Sequence, residues 1–272
     1  MSQIMKHTLT TVLLIIPVLV FSQPASKKIL PGIAPTKYAW ATPLHKQEKN
    51  ILATTIFEGS AHDMESLVVT ACSISATKTR TALRVPDDEE YLFIVKSGNL
   101  MISFRDSSWS IGPGSVALLL PGEKFSVQGT GVAGCRYYLM KYRSRSPVDV
   151  VRGKASGGSF VRDWNKLSFR GHDRGGVRRY FEKATAMSKR FEMHVTTLNP
   201  GLKSHEPHTH NAEEIILMLE DTGNDVGKTE MLIGDKTFLG QAGDLYYVGS
   251  SLLHGIKNTG NTPCSYFAFQ FE

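Results

Sequence analysis

The chain has 272 residues, of which 41% are hydrophobic and 21% are charged, the proportions of a soluble globular protein. These proportions argue against a mostly disordered chain and against a polytopic membrane protein. The formal net charge is +6, but 31 basic residues stand against 25 acidic ones without a long Lys/Arg run. We therefore expect no nucleic-acid partner.

The first residues have the pattern of an export signal. Lys6 supplies a positive charge, and residues 12–21 form an apolar run that Pro17 interrupts. This run is too short to span a bilayer, which needs about 20 residues. The small side chains of Val20 and Ser22 predict cleavage after Ser22, so residues 1–22 are predicted to be a signal peptide. An N-terminal membrane anchor is the alternative.

Export predicts a periplasmic or extracellular protein without stable membrane association after cleavage. The three cysteines are too few for a disulfide framework. In an oxidising compartment a Cys72–Cys135 disulfide is allowed, and the sequence does not decide whether these residues meet.

Beyond residue 60 the chain has the pattern of short β-strands. Segments rich in Val, Ile, Leu, Tyr and Phe alternate with Gly, Pro, Asn and Asp, and few windows have a helical period. Regularly spaced short strands predict an all-β sandwich or barrel. The best candidate strands are residues 66–75, 91–95, 100–104, 116–120, 193–198, 215–219, 230–233, 244–248 and 265–271.

The two halves of the chain repeat each other. Residues 89–95 (EEYLFIV) resemble 213–219 (EEIILML), and 135–138 resemble 264–267, so the offset drifts only from 124 to 129 residues. This repeat predicts two tandem copies of one barrel. We expect an N-terminal arm packed outside, a first barrel, a linker with leading strands, and a second barrel. Their predicted bounds are residues 23–60, 61–145, 146–189 and 190–272.

Four residues of the second half have the spacing of a metal site. His208 and His210 point to one face of a strand because side chains alternate there. Glu214 follows after a short turn, and His254 lies on a later strand. Three imidazoles and a carboxylate suit a first-row divalent metal and leave about two of its six positions open. The alternative is that these histidines are surface or core residues without a metal.

The same residues carry a family resemblance. The spacing His208-x-His210-x3-Glu214 resembles the first cupin motif, and the stretch from Gly243 to His254 resembles the second. The resemblance implies two tandem cupin barrels, of the double-stranded β-helix or jelly-roll type, with the metal in the second. It also implies a homodimer. Mn, Fe, Zn, Ni and Co all accept this ligand set, and Mn is slightly favoured.

The first half is predicted to be a degenerate cupin. Alignment on the Glu-Glu pairs places Arg84 and Pro86 at the histidine positions and Glu90 at the carboxylate position. The fourth position becomes Phe125 or Ser126. One possible ligand in four cannot hold a metal tightly. We expect Arg84 to pair with Glu90, with binding of a small anion as the alternative.

Four further residues are candidates for catalysis or substrate binding. Tyr246, Tyr247 and Lys257 flank the fourth ligand and could hydrogen-bond a substrate. Glu206 lies with His205 at the approach to the ligand strand, where a loop role is the stronger expectation. We regard these as candidates only, because no general base occurs at a spacing that the motif defines.

The neighbours of the metal motif lead to further expectations. Glu213 is expected to be solvated or to support the ligands from behind. Ile216 and Met218 share the phase of Glu214 and should line the pocket with apolar surface. His194 is expected to be a core or surface residue rather than a substrate contact. The basic run 174–179 is expected to be a solvated turn between the barrels.

Fold alone does not choose a function, because cupins include dioxygenases, decarboxylases, isomerases, hydrolases and binding proteins. An inactive first barrel and a metal in the second resemble ureidoglycine aminohydrolase-type bicupins, although the order of metal ligands differs. We expect an exported hydrolase, isomerase or oxygenase that acts on a small polar substrate, such as a carboxylate, ureido acid or sugar acid. A non-catalytic metal- or sugar-binding module and a structural role are the alternatives.

Overall fold

The structure, a computed structural model, describes residues 30–48, 50–77, 79–219 and 228–272. The predicted signal peptide, residues 1–22, lies outside these ranges. Within them the chain forms nineteen β-strands, one α-helix and one 3₁₀ turn, so the all-β prediction is confirmed. The α-helix has six residues, and no helix in the described ranges is long and apolar enough to cross a membrane.

The first barrel is one nine-stranded sheet that curls over itself. Its strands follow the order β10-β8-β6-β9-β4-β3-β2, with β5 on β9 and β7 on β6. They are β2 (His45–Glu48), β3 (Ile51–Gly59), β4 (Met64–Ile74), β5 (Thr81–Arg84), β6 (Glu90–Phe104), β7 (Ser107–Ile111), β8 (Val116–Leu119), β9 (Lys124–Ser144) and β10 (Phe160–Arg162).

The second barrel consists of a seven-stranded and a three-stranded sheet, ordered β1-β17-β14-β19-β13-β12-β11 and β16-β15-β18. Its strands are β1 (Thr36–Tyr38), β11 (Arg170–His172), β12 (Gly175–Lys183), β13 (Phe191–Leu198), β14 (Glu213–Met218), β15 (Thr229–Ile233), β16 (Lys236–Gly240), β17 (Leu245–Val248), β18 (His254–Asn258) and β19 (Cys264–Phe271). Helix α1 (Val150–Ala155) and the 3₁₀ turn (Trp164–Lys166) lie between the barrels in the chain.

The two barrels exchange edge strands. Strand β1 precedes the first barrel in sequence but pairs with β17 of the second. Strand β10 follows the first barrel and pairs back onto its β8. The segment that we expected to be an outer arm therefore supplies β1 to one barrel and β2 and β3 to the other. Backbone pairing, in addition to side-chain packing, joins the two halves.

Three hydrophobic clusters stabilise the fold. One fills the first barrel and one fills the second. The largest lies between them and combines Tyr142 of β9 with Phe191 and Phe267 of the second barrel, all at most 1% exposed. Burying one such side chain contributes about 2 kcal/mol. The shared cluster therefore makes each barrel depend on the other.

Two buried carboxylates bridge the barrels in a reciprocal way. Glu90 accepts hydrogen bonds from the Tyr142 hydroxyl at 2.7 Å and from the backbone N–H of Ala186 at 2.7 Å. Glu213 accepts one from the Tyr247 hydroxyl and one, at 2.7 Å, from the backbone N–H of His62. Each carboxylate thus binds a turn between two strands of the other barrel. The expectation that Glu213 is solvated is wrong, since it is 1% exposed.

Arg84 does not pair with Glu90. Its guanidinium contacts the carboxylate of Asp87 at 2.5 Å on the surface. Glu90 faces the other barrel because β6 alternates its side chains between two sides. The expected Arg84–Glu90 pair is therefore wrong.

All three cysteines lie in the described ranges, where each is buried and no disulfide joins them. Cys72 is opposite Tyr137, and Cys135 is opposite Ile74, in the register of β4 and β9. Burial raises the pKa of both thiols to about 12. They therefore behave as small apolar side chains rather than as reactive thiolates.

Candidate metal centre

Three histidines converge at one end of the second barrel. His208 and His254 face each other across an isolated antiparallel bridge with two backbone hydrogen bonds of 3.0 Å. Their ring centroids are 4.6 Å apart, and the ring of His210 lies 4.7 Å from that of His254. One ring nitrogen from each of the three lies within 4.8 Å of the others. The sequence motifs, 46 residues apart from His208 to His254, meet in space.

Glu214 completes the cluster at the start of β14. One of its carboxylate oxygens lies 3.0 Å from Nε2 of His254 and 3.5 Å from Nε2 of His210. Burial raises the pKa of the Glu214 carboxyl, but hydrogen bonding and positive charge from His210 and His254 in their protonated forms outweigh burial and lower this pKa to about 2. The group is therefore a carboxylate, which is the form that binds a cation.

Backbone carbonyls orient the two inner imidazoles. Nδ1 of His210 lies 2.8 Å from the carbonyl oxygen of Ala212, and Nδ1 of His254 lies 2.8 Å from that of Leu252. Each Nδ1 therefore carries the proton and donates it, which leaves the Nε2 lone pair directed toward Glu214. The sequence alone does not predict this orientation, because it depends on backbone geometry.

The donor set fits a divalent metal ion. The buried Nε2 of His254 has no hydrogen-bond partner in the described ranges, although Glu214 is only 3.0 Å away. A lone pair and a carboxylate at this distance repel each other unless a proton or a cation lies between them. Three imidazoles and one carboxylate suit Mn, Fe, Co, Ni or Zn.

A cavity of about 270 Å³ opens beside the cluster. His208, Glu214 and His254 form one part of its wall. Ile216 lines it as expected, whereas Met218 lies in the core of the second barrel behind it. The volume suits a small molecule of a few carbon atoms, since drug-sized ligands need about 300 Å³ or more.

The four candidate catalytic residues lie elsewhere. Tyr246 is fully buried in the second barrel, and the Tyr247 hydroxyl donates to Glu213 between the barrels. Lys257 lines a separate surface depression, and Glu206 is 81% exposed. Within the described ranges, none of the four lines the cavity of the histidines. Nearness to a ligand in sequence does not by itself place a side chain at the metal centre, because the pairing and direction of its own strand or loop decide where it points.

Residues that we did not single out for the site lie there instead. His194 lines the cavity, contrary to the expectation of a core or surface position, and so does His172. The side-chain nitrogen of Gln270 lies 3.3 Å from Nε2 of His210, and Gln270 is opposite Glu214 in the register of β14 and β19. Only the pairing of distant strands reveals these positions, so no local motif could have found them.

The basic run 174–179 is not a solvated turn. Most of it lies in β12, which pairs with β13 along its whole length. The Arg178 guanidinium lies 4.2 Å from the ring centroid of Trp164 and 4.8 Å from that of Phe169. These contacts stabilise the wall that carries Val177 into the cavity.

Strand register identifies the equivalent positions of the first barrel. Tyr91 pairs with Leu119, which lies five residues after the positive-φ glycine Gly114. In the same way, Glu214 pairs with Val248, which lies five residues after the positive-φ glycine Gly243. Tyr91 is therefore equivalent to Glu214. The earlier alignment on the Glu-Glu pairs was one residue out of register, so Glu90 corresponds to Glu213 instead.

The remaining ligand positions follow in the same way. Phe125 is opposite Leu83 in the first barrel, and His254 is opposite His208 at the equivalent place in the second. In the first barrel, the carbonyl oxygen of Val85 accepts a hydrogen bond from the backbone N–H of Gly122. In the second barrel, the carbonyl oxygen of His210 accepts the equivalent hydrogen bond from the backbone N–H of Ser251. The equivalents of the two histidines are thus Leu83 and Val85, not Arg84 and Pro86. The fourth equivalent is Phe125, so the first barrel has none of the four ligands at these positions.

Comparisons with known proteins agree with this architecture. Residues 194–269 match the family model described as "Cupin domain". A search of curated proteins found no significant match. Three solved structures, each 14% identical in sequence, share the fold over both barrels. Oxalate decarboxylase from Lactobacillus farciminis, a formate complex, has a TM-score of 0.62 and covers 88% of this chain and 87% of its own.

The other two structures are similar over slightly more of the chain. Protein Ylba from E. coli has a TM-score of 0.65, covering 90% of this chain and 94% of its own. A putative glyoxylate induced protein from Pseudomonas aeruginosa has a TM-score of 0.65, covering 92% and 93%. At this level of identity the likeness establishes the fold and not the activity.

Proposed function

Because residues 194–269 form a cupin domain, within a chain that has the two-barrel cupin fold, we propose that the protein is a metalloenzyme. One divalent transition metal binds His208, His210, Glu214 and His254, and a small polar substrate occupies the adjoining cavity. The observation that carries the proposal is the convergence of Nε2 lone pairs on a buried carboxylate. Mn is slightly favoured, and Fe, Zn, Ni and Co fit the same donors.

The residues around the proposed cation site have different roles. The metal, when bound, polarises an oxygen of the substrate as a Lewis acid. Backbone carbonyls hold His210 and His254 in one tautomer, so the donors are arranged before the ion binds. Ile216 and Leu198 cover one side of the cavity and exclude water. Gln270 is close enough to Glu214, at 3.5 Å, to keep that carboxylate in position.

A small acid is the proposed substrate class. The cavity wall carries several imidazoles, and Glu214 is the one acid that lines it within the described ranges. This environment favours an anionic guest over a cationic one. A similar two-barrel protein, oxalate decarboxylase, was solved as a formate complex, which supports a carboxylate over a ureido acid or a sugar acid.

Metal content tests the proposal. Protein purified without chelators is expected to hold about one transition metal per chain by elemental analysis. His208→Ala is expected to lose it, because three donors bind more weakly than four. His45→Ala, an exposed histidine of β2 in the first barrel, is the matched control and keeps the metal. Metal-free wild type, or metal retained in His208→Ala, contradicts the proposal.

A non-catalytic binding module is the second candidate. It is favoured by the finding that the four candidate catalytic residues lie outside the cavity, in the described part of the chain. It predicts a rise in Tm with small carboxylates and no product, whereas an enzyme gives a product.

Export, cleavage after Ser22 and a homodimer belong to the same proposal. N-terminal sequencing of the mature protein and light scattering test these points. An uncleaved N-terminus contradicts export with cleavage, and a monomeric mass contradicts the dimer.

A further inference from the structure

Glu192 and His194 form a pair on one face of β13. Nδ1 of His194 lies 3.3 Å from a carboxylate oxygen of Glu192, within hydrogen-bonding reach. The His194 side chain is 24% exposed and lines the cavity of the proposed metal centre. It is not a member of the ligand cluster. His194 therefore stands on the cavity wall outside the proposed ligand set, where it can act on a guest.

The environment keeps Glu192 ionised. The hydrogen bond from His194 lowers the pKa of the Glu192 carboxyl, burial opposes it, and the charges of Arg190 and Arg179 lower it further. The Arg190 guanidinium contacts the Glu192 oxygen that does not face His194. An anion thus lies beside Nδ1 of the imidazole, and Glu192 is not among the described residues that line the cavity.

The neighbouring strands add few other charges around His194. On β12, Arg179 stands opposite His194 in register, and on β19 the opposite residue is Ala268. On β11, His172 lines the same cavity. Glu192 is therefore the carboxylate within reach of Nδ1, and it sets the orientation of the ring.

This arrangement has the chemistry of a general base. With the Nδ1 proton donated to Glu192, Nε2 carries the lone pair. A carboxylate in this position also stabilises the imidazolium that forms when Nε2 takes up a proton. A base and a cation site on the walls of one cavity of about 270 Å³ can act on the same small substrate.

We infer that His194 is the general base of this cavity and Glu192 its positioning residue. The substrate class is a small 2-oxo acid that carries a hydrogen on the carbon next to its carbonyl group. The inference rests on the proposed function, because the cation supplies the polarisation of the carbonyl oxygen. A 2-oxo acid presents two adjacent oxygens, which matches the two positions that the four ligands leave open.

The proton-transfer step balances without a redox partner. The C–H bond beside the carbonyl breaks, and its proton goes to Nε2 of His194. The electron pair forms a C=C bond while the carbonyl π electrons move to oxygen. In the reverse direction, His194 returns a proton that has exchanged with solvent. Hydrogen–deuterium exchange into the substrate therefore reports the step.

The test uses the full-length protein loaded with Zn²⁺ and pyruvate as the probe. Loss of the pyruvate methyl signal in D₂O is followed by ¹H NMR. His194→Gln is expected to keep its zinc and to slow exchange about 100-fold, the usual contribution of a general base. His45→Gln, in the first barrel, is the matched control and exchanges at the wild-type rate.

The variant Glu192→Gln tests whether Glu192 positions the imidazole of His194 or only supports the fold. Without the anion, the imidazolium loses its partner, so the acidic limb of the exchange-rate profile is expected to move to lower pH. Exchange is expected to slow about 10-fold at neutral pH, less than in His194→Gln. If Glu192 only supports the fold, the acidic limb of the pH profile of the exchange rate stays where it is in wild type. This variant keeps the inference testable if His194→Gln does not fold.

The outcomes distinguish the inference from the proposed function. If the protein binds one zinc and wild type exchanges no faster than the metal-free protein, the inference is overturned and the metal centre stands. Equal rates in wild type and His194→Gln, or an unmoved pH limb in Glu192→Gln, overturn it too. If no zinc binds, the proposed function fails and the inference falls with it.

Discussion

The first and second barrels carry different residues at the same four positions. Where the second barrel has His208, His210, Glu214 and His254, the first has Leu83, Val85, Tyr91 and Phe125 in the same strand register. The second barrel brings three of these donors, His208, Glu214 and His254, to the wall of a cavity of about 270 Å³. The first surrounds a cavity of about 190 Å³ in which three of its four counterparts form apolar and aromatic surface.

The difference shows that the fold does not need the metal site. Phe125 of the first barrel is 5% exposed and belongs to its hydrophobic cluster, so this position contributes to stability there. His254 is 2% exposed, and its Nε2 lacks a hydrogen-bond partner in the described ranges. One position therefore serves packing in one copy and, under the proposed function, cation binding in the other. Substitutions at the pair should separate the two roles.

The largest expected effect comes from the matched pair Phe125→Ala and His254→Ala. Phe125→Ala removes a buried ring and is expected to lower the free energy of unfolding by about 3–5 kcal/mol, with the metal content unchanged. His254→Ala is expected to lose the metal at a smaller cost in stability when both proteins are compared in chelator. Denaturant unfolding and elemental analysis measure the two quantities. Retention of metal in His254→Ala removes the contrast between the barrels.

A second prediction concerns the pH dependence of the stability that the buried inter-barrel carboxyl of Glu90 contributes. Burial raises the pKa of the Glu90 carboxyl above its ordinary value of 4.5. Its stabilising effect is therefore complete below pH 4.5 and is lost as pH rises through the raised pKa. In that window wild type should lose about 1.4 kcal/mol per pH unit relative to Glu90→Gln.

Unfolding free energies measured in chelator across the acidic range test this prediction. Glu58→Gln is the matched control, because Glu58 is exposed on β3 and its substitution should leave the slope unchanged. Parallel curves for wild type and Glu90→Gln contradict the raised pKa.

The smallest expected effect concerns Arg84. Its ion pair with Asp87 is exposed, with side chains 47% and 79% accessible. Arg84→Ala is therefore expected to cost about 0–1 kcal/mol. If Arg84 instead neutralised the buried Glu90, its removal would cost about 3–5 kcal/mol. Chemical denaturation of the variant decides between the two arrangements.

Local patterns predicted the strands and most of the side chains that the structure places together at the end of the second barrel. The apolar runs of β6 and β14 and the spacing of His208, His210 and Glu214 are short-range features, and the repeat is seen by comparing two such runs. They indicated the all-β fold and the cluster, and the bound metal stays a prediction. The resemblance to a family supplied His254, which no local spacing joins to the others.

Long-range register was what the sequence could not provide. A slip of one residue moves every side chain of a strand to its other face, and such a slip exchanged Glu90 with Tyr91 in the alignment. His194 and Gln270 were missed for the same reason, because their positions depend on how β19 pairs with β13 and β14. Tyr247 was misplaced because the interface between barrels cannot be seen in one strand.

The exchange of β1 and β10 has a consequence for any attempt to cut the protein in two. A fragment that begins at residue 190 would leave β17 without its outer neighbour, since Thr36–Tyr38 supplies that pairing. An unpaired strand edge recruits other chains, so such a fragment would tend to self-associate through β17. Gene truncation between the halves is therefore expected to give self-associating fragments rather than two independently stable domains.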